Sequence, residues 1–150
     1  MAGLWLSHHG PADLERCVRL GRWHVCRRCL LLWPLTYALI AAQVVLRTPA
    51  LHPFDLLLPL LLLPPVLEFL EVHTDRRSYS AGRTRLLTPL LALALARLLY
   101  RTVLMPWEPV TWTVILTAGV PCAWAAVGFA RRRDTAENLA QRREDAKTRP

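Results

Sequence analysis

The stretch Phe54–Val72, FDLLLPLLLLPPVLEFLEV, decides the fold class. Its only ionisable residues are Asp55, Glu68 and Glu71. A helix of this length nearly crosses a hydrocarbon core about 30 Å thick, at about 1.5 Å per residue. No polar face recurs in it with helical period, as a helix lying on a soluble core would require. Three more apolar blocks flank it: Leu30–Leu46, Leu86–Leu104 and Val110–Ala130. The pattern predicts an all-α fold, an integral membrane bundle of four transmembrane helices. Residues 30–130 would form the bundle, with spans at about 30–46, 54–72, 86–104 and 110–130. A small Cys/His cap, residues 1–29, precedes it, and a charged tail, residues 131–150, follows.

Composition agrees. The chain has 150 residues, 53% of them hydrophobic, yet a net charge of +8. A soluble basic domain of this size would be less apolar. Of the 19 basic residues only Lys147 is lysine, a usage typical of GC-rich bacterial genomes. Met1–Ser7 carries no basic side chain, and its apolar run is too short for a signal peptide. The first block is therefore expected to act as a signal anchor.

The charges between blocks alternate. Arg16, Arg19, Arg22, Arg27 and Arg28 precede the first block, and only Arg47 lies between the first and second. Arg76, Arg77, Arg83 and Arg85 lie between the second and third, no basic residue follows Arg101 before the fourth, and Arg131–Arg133 follow it. Arg-rich short loops are retained in the cytoplasm. Both termini are thus expected inside, in a bacterial cytoplasmic membrane, with Trp107 and Trp112 at the outer interface. The prolines inside the spans remove backbone donors, and Pro64-Pro65 is expected to kink or break the second span. The tail reads as a solvated helix or a disordered end.

Cys17, Cys26 and Cys29 fall within thirteen residues, with His8, His9 and His24 nearby. On the cytoplasmic side a structural disulfide is disfavoured, and clustered thiols there usually bind metal. Zinc takes four ligands in a tetrahedron. Cys17, Cys26 and Cys29 would supply three and one histidine the fourth, His9 before His8. His24 ranks last, because at two residues from Cys26 its ring is expected to point away. Unligated or redox-active thiols are the alternatives. Cys122 reads as a packing residue.

The segment Ser7–Tyr37, SHHGPADLERCVRLGRWHVCRRCLLLWPLTY, resembles an uncharacterised family of small bacterial and archaeal membrane proteins. Those proteins carry a His, an Arg-rich segment and a Cys-x-Arg-Cys motif before the first helix. Here the motif is Cys26-Arg27-Arg28-Cys29, and Arg76–Arg85 is similar to the family's second cytoplasmic loop. The chain departs from the family at Leu30–Leu32, where a glycine is usual. The resemblance implies membrane topology and a cysteine motif, and no reaction.

Ionisable groups inside the spans are costly unless paired or wet. Glu68 and Glu71 share one helix face, as do Arg97 and Arg101. Depths of about 6–8 Å for Glu68 and 16–18 Å for Arg97, counted from the inner edge, lead to an expected inner pair Glu68–Arg97. An outer pair Asp55–Arg101 is expected near the other face. No nucleophile elbow, phosphate loop or zinc-protease motif is present. The leading reading is a non-enzymatic membrane protein with a zinc cap, in contact with lipid, a protein partner at its cytoplasmic face and no nucleic acid. A membrane thiol oxidoreductase using Cys26 and Cys29, or a transporter at the Glu/Arg cluster, are the alternatives.

Overall fold

The computed structural model describes residues 4–6 and 16–148. Three short strands form the cap: β1 Leu4–Leu6, β2 Cys17–Leu20 and β3 Trp23–Cys26. The sheet order is β1-β3-β2, with β1 parallel and β2 antiparallel to the central β3. The strands are an addition to the sequence reading, which left the cap without secondary structure. Gly21 and Arg22 form a two-residue loop between β2 and β3, with φ positive only at Gly21 (+61°). That is the type II′ pattern, whose twist suits a hairpin.

Four long helices follow: α1 Arg27–Val45, α2 Leu58–His73, α3 Ala81–Leu104 and α4 Pro109–Thr148. A 3₁₀ turn, Pro53–Leu57, leads into α2. Four helical stretches are long and apolar enough to cross a membrane: α1, the 3₁₀ turn with α2 (Pro53–His73), α3, and α4 as far as Arg132. The α4 backbone continues as helix through the charged tail. The helix α1 follows β3 without a loop, so Cys26 ends the strand and Cys29 lies in the first helical turn.

The ends of α1 and α2 are closed alike. After α1, the Thr48 amide bonds the Gln43 carbonyl and the Arg47 amide bonds that of Val44, with Arg47 at φ +49°. After α2, Asp75 sits at φ +58° and the Arg76 amide bonds the Glu71 carbonyl. This left-handed close satisfies carbonyls that a helix end leaves without partners. The expected break at Pro64-Pro65 does not occur; α2 is one helix through both prolines. Leu58 and Leu62 before the pair, and Glu68 and Val72 after it, are buried and tie both halves to the bundle.

The central helix is α3, the most buried of the four. Ala94 and Leu98 pack with Leu58 and Leu62 of α2, and Val114, Ile115 and Ala118 of α4 close that cluster. On another face Thr84, Thr88, Ala92 and Ala96 recur every four residues, all buried. Small side chains at this spacing let a neighbouring helix approach closely, and α1 is the helix packed most extensively on α3.

Candidate functional site

Polar groups gather at two places, one at each end of the bundle. At the end away from the cap, Arg97 is the hub. Its guanidinium holds both Asp55 carboxylate oxygens, at 2.6 and 2.9 Å. It also donates to the Pro49 and Ala50 carbonyls, at 2.9 and 3.1 Å, and to Gln43 Oε1 at 3.3 Å. Arg101 reaches Asp55 at 3.1 Å and Glu108 at 2.9 Å. Glu108 in turn accepts from the Thr111 amide and hydroxyl, at 2.6 and 2.5 Å. The Thr111 contacts hold the Glu108 carboxyl below its ordinary value, against a smaller opposing effect of burial. The Tyr100 hydroxyl donates to the Thr48 carbonyl at 2.9 Å. Two arginines thus meet two carboxylates, and α1, α2, α3 and α4 are tied together through their connecting segments.

The expected outer pair Asp55–Arg101 is present. The expected inner pair Glu68–Arg97 is not, because both members have nearer partners. The segment after α1 folds back and delivers Asp55 and two carbonyls to Arg97. Glu68 pairs with Arg28, and accepts a hydrogen bond from the Thr84 hydroxyl at 2.9 Å. Glu71 stands apart, in an exposed pair with Arg77 at 2.9 Å.

The Arg28–Glu68–Thr84 junction belongs to the cap end, where α1, α2 and α3 meet. Beside it lies a cavity of about 340 Å³, lined by Cys26, Cys29, Trp33, Phe69, His73 and Cys122 with Arg28 and Glu68 at one side. The His73 ring stacks on Phe69 at 3.8 Å and meets Phe129 edge-on at 5.3 Å. Arg132 donates to the His73 carbonyl at 2.8 Å and pairs with Asp75 at 3.3 Å. The guanidinium of Arg16 lies over the Tyr79 and Phe129 rings. The cap, the α2–α3 loop and α4 near Arg132 therefore share one end of the molecule.

The four cysteines are thiols. Cys17 and Cys26 are directly opposed in the β2–β3 register and both buried. Cys26 and Cys29 interact through their side chains. Arg27 Nε donates to the Cys17 carbonyl at 3.1 Å, fixing the hairpin to α1. Cys26 therefore has a thiol neighbour on each side. Among the described residues no three His, Cys, Asp or Glu side chains converge where they could hold a metal ion. His8 and His9 lie outside the described residues. His24 sits two positions from Cys26 in the same strand, which puts it on the cysteines' face. The expectation that it points away does not fit a strand, in which residues two apart share a face.

Comparison with protein-family models, with curated proteins and with solved structures returns no match. Function has to be argued from the site itself.

The sequence reading missed His73, Trp33, Phe69 and Cys122 as cavity residues. Arg28 carried a signal, being next to Cys29 inside the motif and on a helix that begins before Leu30, but an arginine there is explained equally well by topology. Cys122 carried none, since only the packing of α4 against α2 brings it to the cap end.

Proposed function

We propose that this chain is an integral membrane protein, crossing the bilayer four times, with Cys26 and Cys29 forming a working dithiol at its cap-end cavity. The observation that carries the reading is the position of Cys26: it shares the wall of an apolar cavity with the second thiol of its own Cys-x-x-Cys motif and opposes a third across the hairpin. Small-ligand pockets are concave, mostly apolar and about 300–1,000 Å³, with a few polar groups to fix orientation. This cavity has that size and character. Its rings suit a flat apolar ligand, and the Arg28–Glu68 pair supplies the polar edge.

Oxidation of Cys26 and Cys29 forms one S–S bond and releases two electrons and two protons. A quinone-class oxidant in the cavity would accept both and leave as the quinol. Cys17 gives the pair a second outlet. Residues directly opposed on antiparallel strands have Cα atoms about 4.5–5.5 Å apart, within the roughly 4.4–6.8 Å that a disulfide spans. A Cys17 thiolate attacking the Cys26 sulfur would form a Cys17–Cys26 bond and expel Cys29 as the thiolate.

A structural zinc cap, presenting a surface to a protein partner, is supported by the same three cysteines. It needs a fourth donor, His8, His9 or His24, and a convergence of Cys17, Cys26 and Cys29 that the described side chains lack. A transporter site at the Glu/Arg cluster has less support, since those charges already engage one another and backbone carbonyls.

Detergent-purified protein tests the choice. Adding a short-chain quinone should give a disulfide of Cys26 with Cys29 or Cys17 by mass mapping and one quinol per chain, and Cys26→Ser should abolish both. Stoichiometric zinc lost in Cys26→Ser, with no disulfide under quinone, overturns the dithiol reading in favour of the zinc cap.

A further inference from the structure

A second cavity, about 320 Å³, opens at the cap end between the starts of α1 and α3. Val18, Arg27, Leu30, Leu31, Arg85 and Thr88 line it, together with Tyr79, and no carboxylate lines it among the described residues. Its chemistry changes with depth. Arg27 is the first residue of α1 and Arg85 lies in the second turn of α3. Leu30 and Leu31, both largely exposed, come one turn deeper on α1. Two cations therefore sit at the rim, with Leu30 and Leu31 of α1 and Thr84 and Thr88 of α3 on the facing walls. Arg27 uses Nε for the Cys17 carbonyl, so that contact does not engage its terminal nitrogens.

We propose that this cavity binds an anionic phospholipid, its phosphate held by Arg27 and Arg85 and one acyl chain laid along Leu30 and Leu31 of α1. The inference rests on the membrane part of the reading above and is independent of the thiol chemistry. Three features select the ligand. Two guanidiniums without a local carboxylate favour a phosphate, which an arginine binds through paired N–H donors. The cavity continues from the charged rim in the direction of the hydrocarbon, so a free phosphate would leave most of it empty. Basic pockets between helices at the membrane surface recur as headgroup sites, and each arginine near the surface strengthens anionic-lipid attraction by about fivefold.

The test is native mass spectrometry of the full chain, released from detergent after titration with phosphatidylglycerol or phosphatidylcholine. Wild type should retain phosphatidylglycerol preferentially, and Arg27→Gln with Arg85→Gln should weaken it about 25-fold, the product of two such shares. A control pair on the neighbouring loop, Arg76→Gln with Arg77→Gln, outside the cavity lining, should weaken retention clearly less than the Arg27/Arg85 pair does. Circular dichroism of the variants checks that they stay folded, and the single variants serve if the double one does not. Equal retention of both lipids, or an unchanged affinity in the Arg27/Arg85 variants, overturns the site. Full displacement by millimolar inorganic phosphate overturns the lipid assignment. A chain recovered in solution without detergent would instead remove the membrane reading on which the inference rests.

Discussion

Arg97 shows how far single residues could be read from the sequence. That a buried arginine in the third apolar block needs partners follows from the cost of an unpaired charge. Which partners it takes does not. Depth along a straight helix placed it nearer Glu68, but the choice is made by the segment after α1, which folds back at Arg47 and returns through the 3₁₀ turn to bring Asp55. In that turn the His52 amide donates to Asp55 at 2.9 Å and the Phe54 amide to His52 at 3.1 Å. The carboxylate is thus aimed by local bonds before Arg97 meets it. Removing Arg97 leaves Asp55 with Arg101 alone and takes the donor from Gln43 and the Pro49 and Ala50 carbonyls, and breaking a buried pair in this way costs up to about 3–5 kcal/mol. Arg97→Met keeps the volume and should lower detergent-state stability by that order in thermal or denaturant unfolding. Arg97→Lys should recover only part, since an ammonium has no planar fork to hold both carboxylate oxygens and two carbonyls. Wild-type stability in Arg97→Met would show that the network contributes little.

The helices were legible as elements because length and apolarity set them, and their ends moved by a few residues where caps and turns intervene. The cap strands were not read, although a cue existed. Val18 and Leu20 alternate with Cys17 and Arg19, and Gly21 with Arg22 joins them to Trp23 and Val25, which is a hairpin pattern of period two. The pairing of β1 with β3 is non-local and has no such cue. The small face of α3 was also overlooked, because threonine and alanine in an apolar block look neutral until a partner helix is known. Ala92 and Ala96 are fully buried. Overpacking a tight interior costs about 1–3 kcal/mol, and at a close helix crossing it also pushes the backbones apart. Ala96→Leu should therefore destabilise the bundle by at least that amount in the same unfolding assay. Gly119→Ala on α4 should be near neutral, because nothing lies within 4 Å of the added carbon. Equal effects at the two positions would remove the α1–α3 seam as a determinant of stability.

At the scale of the whole molecule, the surface and the arginines bear on the proposed membrane insertion and its direction. The outward-facing apolar side chains are large: Trp107 is 86% exposed, Trp124 80% and Val45 79%. Only 6% of the apolar window of α4 is buried, so that helix presents hydrocarbon-compatible surface nearly all round. Contacts of Arg132 with His73 and Asp75 bring the end of that window to the cap side, so a chain that spans the bilayer as proposed makes an even number of passes from the cap. The ion-pair network then sharpens the charge rule. Arg101 looked like a basic residue at the end opposite the cap, but it is buried against Asp55 and Glu108 and so adds little to the surface charge there. Among the described residues Arg47 is left as the exposed arginine of that end, against Arg19, Arg22, Arg76, Arg77, Arg85, Arg131 and Arg132 at the cap end. The retained side of a membrane protein is the arginine-rich one. Reporter fusions at either terminus should therefore report the cytoplasm. Arg47→Glu should leave that outcome unchanged, because the vote at its end is already weak. A periplasmic signal from both fusions would reverse the insertion and move the cysteines to the oxidising side. Signals from opposite sides would mean an odd number of passes and contradict the contacts between α4 and the α2 end.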